Sequence, residues 1–350
     1  MTIEENVPLA PLTTMKVGGP AKLFVNAITE DDVMSAVEYA RSNHLPWFVL
    51  GGGSNLVVAD AGFSGVVIKI AIPGVKSCDV RRRRREYVVG AGEEWDTLVA
   101  KAVAENCAGI ETLSGIPGTV GGTPVQNVGA YGQEVAETIQ SIRVLDLQNM
   151  RVKEFSNAEC GFSYRTSIFN STAAGHYIVL GVTYSLEIGG PARVTYADLK
   201  RYFGEGRQPS LQETRDAVRA VRLSKAMLIV PDDEDCRSAG SFFKNPIVED
   251  SKYQEVAAIA AQKGIVAAPP KYPATDGKVK MSAAWLVENA GFSKGYTRGN
   301  AAISRKHALA LVNHGSATAA EIIALRDEVQ RGVSGMFGIQ LHPEPVMLGF

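Results

Sequence analysis

The sequence predicts a chain of mixed α and β structure that forms two or three domains. Its 350 residues are more than one domain of roughly 150 residues needs. Helical periodicity alternates with short apolar runs, whereas Gly109–Gly132 is rich in glycine and proline, which predicts irregular backbone. The hydrophobic fraction of 45% and the charged fraction of 21% are typical of a globular protein with a buried core.

The first two thirds of the chain alternate helices with strands. Thr29 is a suitable cap for a helix that extends to Asn43, because Val33, Val37 and Ala40 recur on one face. Further strands are expected at Pro46–Leu50, Val66–Ile70, Tyr87–Val89, Ile142–Asp146 and Tyr177–Leu186, and further helices at Trp95–Asn106 and Leu211–Arg222.

The last third of the chain is predicted to be a separate domain that begins near Ser224. An acidic stretch, Pro231–Asp235, follows this boundary. Helices are expected at Ser251–Lys263, Met281–Asn289 and Thr318–Val333. In the last of these, Thr318 and Glu321 have the spacing of a capping box.

Charge and hydropathy exclude several classes of protein. The net charge of -1 does not favour nucleic acid or an anionic membrane as a partner. No apolar run approaches the roughly 18 residues that a membrane span needs, and the acidic start is unlike a signal peptide. Cytoplasmic localisation is therefore expected, with no obligate protein partner evident. The cysteines and histidines lack CxxC and HExxH spacing, so no metal site is predicted.

Arg81–Arg85 is a run of consecutive arginines that admits two interpretations. One is a patch that binds an anion or nucleic acid, and the other is a solvated hairpin tip between two strands. Because the rest of the chain carries no excess of positive charge, the hairpin tip is favoured.

Two glycine-rich loops are the first candidates for ligand binding. The first, Leu50–Leu56, follows a strand and reads LGGGSNL; the second, Ile116–Pro124, reads IPGTVGGTP. Glycine lets the backbone approach a ligand and direct several N–H groups at one anion. The first loop alone is equally consistent with a plain turn. Neither matches the Rossmann or P-loop pattern, but the pair favours a dinucleotide cofactor held at both ends.

Three polar residues stand in unusual surroundings. Arg165 lies in the aromatic and apolar stretch FSYRTSIF, where it suits either carboxylate recognition or a structural ion pair. Ser241 follows a glycine in GSFFKNP without the pattern of a nucleophile elbow, so a turn serine is the alternative. Glu344 lies between two prolines that restrict its backbone, and an edge-strand glutamate is the alternative.

Taken together, these segments resemble the UDP-N-acetylenolpyruvoylglucosamine reductase (MurB) family of peptidoglycan synthesis. The resemblance covers nearly the whole chain, in the order PLTTMKVGGPA, LGGGSN, SGIPGTVGGTPVQNVGAYG, FSYRTSIF, VTYADL, AGSFFKNP, AAWLVENAGF and HPEPV. Because it contains VTYADL, the chain resembles the longer form of the family, in which a tyrosine loop covers the substrate.

The resemblance implies an α+β fold with an FAD-binding part of the vanillyl-alcohol-oxidase type in two subdomains and a separate α+β substrate-binding domain. The corresponding division is residues 1–75 and 76–224 for FAD and 225–342 for the substrate, with the strand 343–350 returning to the first subdomain. It also implies non-covalent FAD, held by Leu50, Gly51, Gly52, Gly53, Ser54, Asn55, Pro117, Gly118, Thr119, Gly121, Gly122 and Thr123.

The implied reaction is reduction of an enolpyruvyl group on a UDP-sugar, with NADPH as hydride donor to FAD. Hydride adds to the terminal carbon, and the negative charge on the adjacent carbon spreads into the carboxylate. Such charge needs preorganised stabilisation, which the resemblance assigns to Arg165 and Glu344, and it assigns protonation of that carbon to Ser241. This assignment replaces the local structural interpretations of the three residues.

The resemblance also implies a set of substrate contacts: Tyr131, Tyr196, Lys225, Asn245, Tyr272, Lys280 and His307. At His307 the sequence departs from relatives that carry glutamine there. The stretch between Lys225 and Ser241, which includes the acidic Pro231–Asp235, is longer than in some relatives. Its acidity would be unfavourable beside a phosphate, so it is expected to point to solvent.

Two other functions compete with the reductase. One is an oxidase that acts on a small alcohol with the same flavin scaffold, and the other is a non-catalytic UDP-sugar sensor. The motifs FSYRTSIF, GSFFKNP and HPEPV argue against the oxidase. The complete set of Arg165, Ser241 and Glu344 argues against the sensor, because a sensor needs no proton donor.

Overall fold

A computed structural model describes residues 1–204, 206–274 and 277–350. The α-helices in these ranges are α1 (Glu30–Ser42), α2 (Trp95–Ala104), α3 (Ala197–Phe203), α4 (Leu211–Ser224), α5 (Asp250–Gln262), α6 (Ala283–Asn289) and α7 (Ala319–Phe337). The strands are β1 (Glu4–Pro8), β2 (Pro20–Ala27), β3 (Trp47–Leu50), β4 (Leu56–Val58), β5 (Phe63–Ile70), β6 (Val75–Val80), β7 (Arg84–Gly90), β8 (Cys107–Ala108), β9 (Gly129–Ala130), β10 (Gln133–Glu134), β11 (Ile139–Asp146), β12 (Arg151–Ser156), β13 (Tyr177–Ile188), β14 (Ile247–Val248), β15 (Lys271–Pro273), β16 (Val279–Met281), β17 (Thr297–Arg298), β18 (Ala301–Ile303), β19 (Leu311–Asn313) and β20 (Val346–Leu348).

The chain divides into two compact units. The first unit consists of Met1–Val7, Ala21–Gly53 and Phe63–Leu228, and the second of Pro8–Pro20, Ser54–Gly62 and Ile229–Phe350. Two short N-terminal segments thus belong with the C-terminal unit. The three-part division with boundaries after residues 75, 224 and 342 stays a prediction.

The first unit contains two larger sheets and the two-stranded pair β9-β10. An antiparallel sheet has the order β12-β11-β13-β7-β6, and β8 pairs with β13 at its end. A second sheet has the order β1-β2-β5-β3, and β5 runs parallel to both β2 and β3. Helix α1 packs against β5, and the largest fully buried side chains here are Trp95, Tyr87 and Tyr184.

Helix α1 begins where the sequence predicts. The Thr29 hydroxyl accepts a hydrogen bond from the Asp32 backbone N–H at 3.0 Å, and the Asp32 carboxylate accepts one from the Thr29 N–H at 3.1 Å. This capping box satisfies N–H groups that the first turn leaves without partners. Val33, Val37 and Ala40 are fully buried, as their spacing predicts.

The arginine run lies at a hairpin between β6 and β7, in the position favoured from the sequence. Arg81, Arg82 and Arg83 form its exposed tip. Arg84 and Arg85 form hydrogen bonds and ion pairs that a purely solvated tip would lack. Arg84 Nε donates to Ser185 Oγ at 2.8 Å, and Arg85 bonds to carboxylates on β6 and after α2.

The second unit contains the short sheets β17-β18-β19, β14-β16-β15 and the parallel pair β4-β20. Helix α7 packs against β18 and β19 and buries Phe337 beside Trp285, at 5.4 Å between ring centroids. None of the helices in the described ranges is long and apolar enough to cross a membrane.

The start of α7 is fixed from within the second unit by two acidic groups. Thr318 and Glu321 form the predicted capping box. In addition, the two Asp60 carboxylate oxygens accept hydrogen bonds from the Ala319 N–H at 2.7 Å and the Ala320 N–H at 3.0 Å. A carboxylate at a helix N-terminus also interacts favourably with the helix dipole. This contact helps to explain why Ser54–Gly62 belongs to the second unit.

Replacing Asp60 with alanine should therefore lower the free energy of unfolding by about 0.5–2 kcal/mol, the usual cost of losing a helix cap. Chemical denaturation of the two purified proteins measures the difference. Glu38→Ala on the exposed face of α1 is the control and should change stability by less than about 0.5 kcal/mol. Equal stabilities of the two variants would contradict the proposed cap.

Candidate functional site

The two glycine-rich loops meet in the first unit. A Cβ added to Gly52 would lie 2.5 Å from Gly118 Cα and 2.9 Å from the Thr119 backbone nitrogen. A Cβ on Gly51 would lie 3.1 Å from Thr119 Oγ1. The backbone of Gly118 and Thr119 cannot move aside as a flexible side chain can. Only glycine at position 52 therefore lets the two loops come this close. The sequence predicts that the two loops hold the two ends of a dinucleotide, whereas in the fold they lie directly against each other at Gly52 and Gly118.

The two threonines of the second loop have different surroundings. Thr123 Oγ1 donates to the Val120 carbonyl at 2.8 Å and lies 2.6 Å from the Tyr184 hydroxyl, so its polar capacity is used within the core. Thr119 Oγ1 is buried and has no hydrogen-bond partner among the residues that the structure describes. A buried hydroxyl without a partner costs free energy, which a ligand oxygen at this position would recover.

The remainder of the second loop packs against the protein. The Gly121 N–H donates to the Ala91 carbonyl at 2.9 Å, and a Cβ on Gly121 would lie 2.6 Å from the Ala91 side chain. A Cβ on Gly122 would meet nothing within 4 Å. The glycine at position 121 thus serves packing, whereas position 122 faces open space.

The first loop continues from Gly53 into the second unit at Ser54. Within that unit, the Asn55 side-chain amide donates to the Glu344 carbonyl at 3.3 Å, and the Val346 N–H donates to the Asn55 carbonyl at 3.0 Å. Asn55 therefore joins the loop to the HPEPV segment and continues the parallel pairing of β4 with β20.

Arg165 occupies a tight turn in the first unit. Ser163 and Thr166 exchange backbone hydrogen bonds of 3.0 and 3.1 Å, so Tyr164 and Arg165 form the tip. Arg165 has φ of +54°, a conformation that costs a non-glycine residue free energy and is enriched at functional sites. Its Nη2 donates to the Gly129 carbonyl at 2.9 Å, which holds the guanidinium beside the continuation of the second loop.

Tyr131 and Tyr196 lie together in the first unit. Their rings pack edge to face with centroids 5.5 Å apart, and Tyr131 also has a positive φ of +49°. Burial raises the pKa of the Tyr131 hydroxyl, so it stays a neutral hydrogen-bond donor well above neutral pH. The VTYADL segment thus packs against Tyr131 through the Tyr196 ring, and its role in covering the substrate stays a prediction.

Lys225 lies at the end of α4 and has a carboxylate partner. Its Nζ is 2.6 Å from Asp198 Oδ2 of α3, two residues after Tyr196. Asp198 was not predicted as a site residue, and only its place inside VTYADL could have drawn attention to it. No local sequence pattern indicates that the lysine expected to bind phosphate pairs with a carboxylate instead.

Ser241 lies in the second unit on a backbone that glycine makes possible. Gly240 has φ of +75°, and its N–H donates to Ser238 Oγ at 3.2 Å. On the other side, the Phe242 N–H donates to the Leu309 carbonyl at 2.7 Å. Ser241 Oγ lies 3.1 Å from Nε2 of His307. The structure thus brings together two residues that were predicted for different roles.

Glu344 runs alongside the same segment. Its N–H donates to the Phe242 carbonyl at 2.9 Å, and the Lys244 N–H donates to the His342 carbonyl at 3.0 Å. Phe243 and Pro343 form the bridge between these two hydrogen bonds. Two of the three predicted catalytic residues, Ser241 and Glu344, are therefore neighbours within the second unit.

The other predicted substrate contacts of this unit lie on and beside a small sheet. Tyr272 and Lys280 are directly opposite on β15 and β16, and Tyr272 is half exposed. Asn245 also has a structural role. Its Oδ1 accepts a hydrogen bond of 2.9 Å from the Ala283 N–H at the start of α6. Its contact with the substrate stays a prediction.

The expectation that the acidic stretch points to solvent is wrong for Asp235. This residue is only 1% exposed. Its carboxylate accepts from the Arg305 N–H and from Arg305 Nε, both at 3.3 Å, and contacts His314 Nε2 at 3.2 Å. Asp233 binds Lys306 Nζ at 2.9 Å, and this ion pair lowers the pKa of the Asp233 carboxyl. These carboxylates face inward because they bind Arg305 and Lys306, the two basic residues that precede His307.

Comparison with known proteins decides the family. The model described as the UDP-N-acetylenolpyruvoylglucosamine reductase C-terminal domain matches residues 231–348, and the FAD binding domain model matches residues 21–156. A reductase of that name from Thermobifida fusca is 47% identical over 98% of this chain and 97% of its own length. The chain belongs to the UDP-N-acetylenolpyruvoylglucosamine reductase family. The Streptomyces avermitilis reductase is 44% identical over 98% of this chain and 94% of its own length.

A solved structure agrees with this assignment. The reductase (MurB) of Thermus caldophilus superposes with a TM-score of 0.67 over 99% of both chains, at 26% identity. Together with the two domain matches, this superposition confirms the predicted α+β fold with an FAD-binding part.

The residues of the first unit fit FAD. Its pyrophosphate is an anion that backbone N–H groups can bind where no Cβ intervenes, and Gly51 and Gly52 are such positions beside Thr119. Thr119 Oγ1, which lacks a partner among the described residues, can donate to one of its oxygens. Thr123 is different, because its hydroxyl is already bonded in the core.

Replacing Gly52 with alanine should abolish FAD binding, because the new Cβ collides with the backbone at Gly118 and pushes the loops apart. The visible absorbance of the purified protein and the FAD released on denaturation measure occupancy. Gly335→Ala, where a Cβ meets nothing within 4 Å, is the control and should keep the flavin. A fully yellow Gly52→Ala protein would contradict this account of the cradle.

Proposed function

We propose that the chain reduces the enolpyruvyl group of UDP-N-acetylglucosamine-enolpyruvate to give UDP-N-acetylmuramate for peptidoglycan synthesis, with NADPH as the hydride donor. The observation that carries the proposal is the 47% identity to a reductase of this name over nearly the full length of both chains. The pairing of the two glycine-rich loops and the position of Ser241 beside Glu344 support the same reaction.

The cofactor part of the proposal rests on the first unit. Gly51, Gly52, Gly118 and Thr119 hold the pyrophosphate of FAD without a covalent link. When bound, FAD supplies the hydride that it has received from NADPH. The loop from Leu50 to Asn55 contains no cysteine or histidine, so denaturation should release the flavin intact.

Substrate binding is assigned to charged and aromatic side chains. Lys225 takes a phosphate of the UDP group in exchange for Asp198, since both are anions that form charge-assisted hydrogen bonds with an ammonium group. Tyr131 and Tyr196, whose rings pack together, are assigned as further contacts. Lys280 and Tyr272, which are directly opposite on β16 and β15, are assigned the same role.

The catalytic roles follow from the charge that the reaction creates. Once hydride has added to the terminal carbon, the neighbouring carbon carries negative charge that spreads into the carboxylate. The Arg165 guanidinium stabilises the carboxylate, and Glu344 stabilises it as a neutral acid. Ser241 Oγ donates the proton to the carbon, which is a far stronger base than the alkoxide that remains.

The substrate is a water-soluble nucleotide sugar, so we place the reaction in the cytoplasm. Neither nucleic acid nor a protein partner has a part in it.

The proposal is tested by following the absorbance of NADPH with the purified protein. NADPH should be consumed in proportion to the enolpyruvyl UDP-sugar that is added, and the product should be the lactyl ether. Oxygen uptake with a small alcohol, without use of the UDP-sugar, would indicate an oxidase instead. Binding of the UDP-sugar in calorimetry without any turnover would indicate a sensor.

Ser241→Ala tests the mechanism in the two half-reactions. Reduction of the flavin by NADPH needs no proton from Ser241, so bleaching should keep nearly the wild-type rate in stopped-flow absorbance. Reoxidation by the UDP-sugar should slow by at least about 10²–10⁴-fold, as is typical for loss of a general acid. Ser241→Cys should recover part of this rate, because a thiol can also donate a proton.

The exposed Ser293 of the same unit provides the matched control, and Ser293→Ala should leave both rates unchanged. If Ser241→Ala slows both half-reactions equally, the serine positions ligands and does not donate the proton.

A further inference from the structure

His307 contacts the proposed proton donor directly. Its Nε2 lies 3.1 Å from Ser241 Oγ, within hydrogen-bonding distance. Imidazole is the side chain whose charge changes near neutral pH, so it can both give and take a proton there. His307 is half-buried, which leaves it access to solvent.

The position of His307 is fixed by the turn that carries it. The Ser304 N–H donates to the Ala310 carbonyl at 2.9 Å, and the Ala310 N–H donates to the His307 carbonyl at 3.2 Å. The fully buried Ser304 also accepts the Lys306 N–H at 3.0 Å. A short closed turn of this kind leaves the imidazole little freedom of position.

The acidic stretch and the Ser241 strand hold this turn from two sides. Asp235 bonds to the backbone and the side chain of Arg305, and Asp233 pairs with Lys306. The Phe242 N–H donates to the Leu309 carbonyl at 2.7 Å, which joins the turn to the residue after Ser241. The distance between Ser241 and His307 is therefore set by hydrogen bonds on both sides of the pair.

We propose that His307 is a positioning residue for Ser241 that also replaces the proton the serine gives up. This inference rests on the proposed function and assigns His307 a role other than substrate contact. Without such a partner, proton donation would leave a serine alkoxide, a strong base in a partly buried place. The imidazolium at 3.1 Å removes that charge as it forms.

The proton transfers balance as follows. The Ser241 O–H bond breaks as a C–H bond forms at the carbon next to the substrate carboxylate. The His307 Nε2–H bond breaks as a new Ser241 O–H bond forms, which converts imidazolium into neutral imidazole. Solvent then protonates His307 again, so one proton from water is consumed for each hydride transferred. No further oxidant or reductant is needed.

Three variants of the full-length, FAD-loaded protein test this relay by stopped flow. His307→Ala should reduce its flavin with NADPH at nearly the wild-type rate but reoxidise with the UDP-sugar on the order of 10²-fold more slowly. His307→Gln keeps a hydrogen-bonding side chain, but its amide N–H groups are too weakly acidic to transfer a proton to the serine, so it should also be slow. His176→Ala, at an exposed histidine of the other unit, is the control and should match wild type.

Two readouts separate proton transfer from a merely structural role. Added imidazole should restore reoxidation in His307→Ala but not in Ser241→Ala. In mixtures of H₂O and D₂O, a plot of the wild-type reoxidation rate against deuterium fraction should be curved, as expected when two protons move. The His307→Gln rate should depend on it linearly, as for one proton.

Wild-type reoxidation rates in His307→Gln, or failure of imidazole to rescue His307→Ala, would overturn the relay while leaving the proposed function intact. If the wild-type flavin is not reoxidised by the UDP-sugar at all, the proposed function fails and the relay fails with it.

Discussion

The close approach of Gly52 to Gly118 is the constraint on which the proposed cofactor site depends. Two loops far apart in sequence come so near that a single Cβ would touch the opposing backbone at 2.5 Å. This contact places the buried Thr119 hydroxyl, which lacks a partner within the described ranges, beside Gly51. A protein that needed only a turn at each position would have no reason to bring two glycine loops together and bury a polar group there.

In the second unit, hydrogen bonds hold the proposed proton donor in one position. Ser241 follows a left-handed glycine, and the backbone of Phe242 is bonded on one side to Leu309 and on the other to Glu344. His307 is brought to the serine by a turn that buried Asp235 fixes. Positional precision of this kind is what proton transfer requires, because the rate falls steeply with donor–acceptor geometry.

Local patterns were sufficient to predict most regular elements and the two loops. The Thr29 cap, the 3.6-residue periodicity of α1 and the capping box of α7 were confirmed because they are determined by residues near one another in sequence. Strand β4, which pairs with β20 almost three hundred residues later, and the partnership of Asp198 with Lys225 have no local signature. Asp235 lies inward because it bonds to Arg305 and His314, and composition alone cannot show that these distant residues are its neighbours. The roles of individual site residues stay predictions.

A crystal structure of the protein as purified, with its flavin, is the most direct test of the central claim that the paired loops bind the pyrophosphate. The account predicts a pyrophosphate oxygen about 2.5–3.0 Å from Thr119 Oγ1, on the side of the loops where Gly51 lies. A pyrophosphate bound elsewhere, with the Thr119 hydroxyl still without a partner, would contradict it.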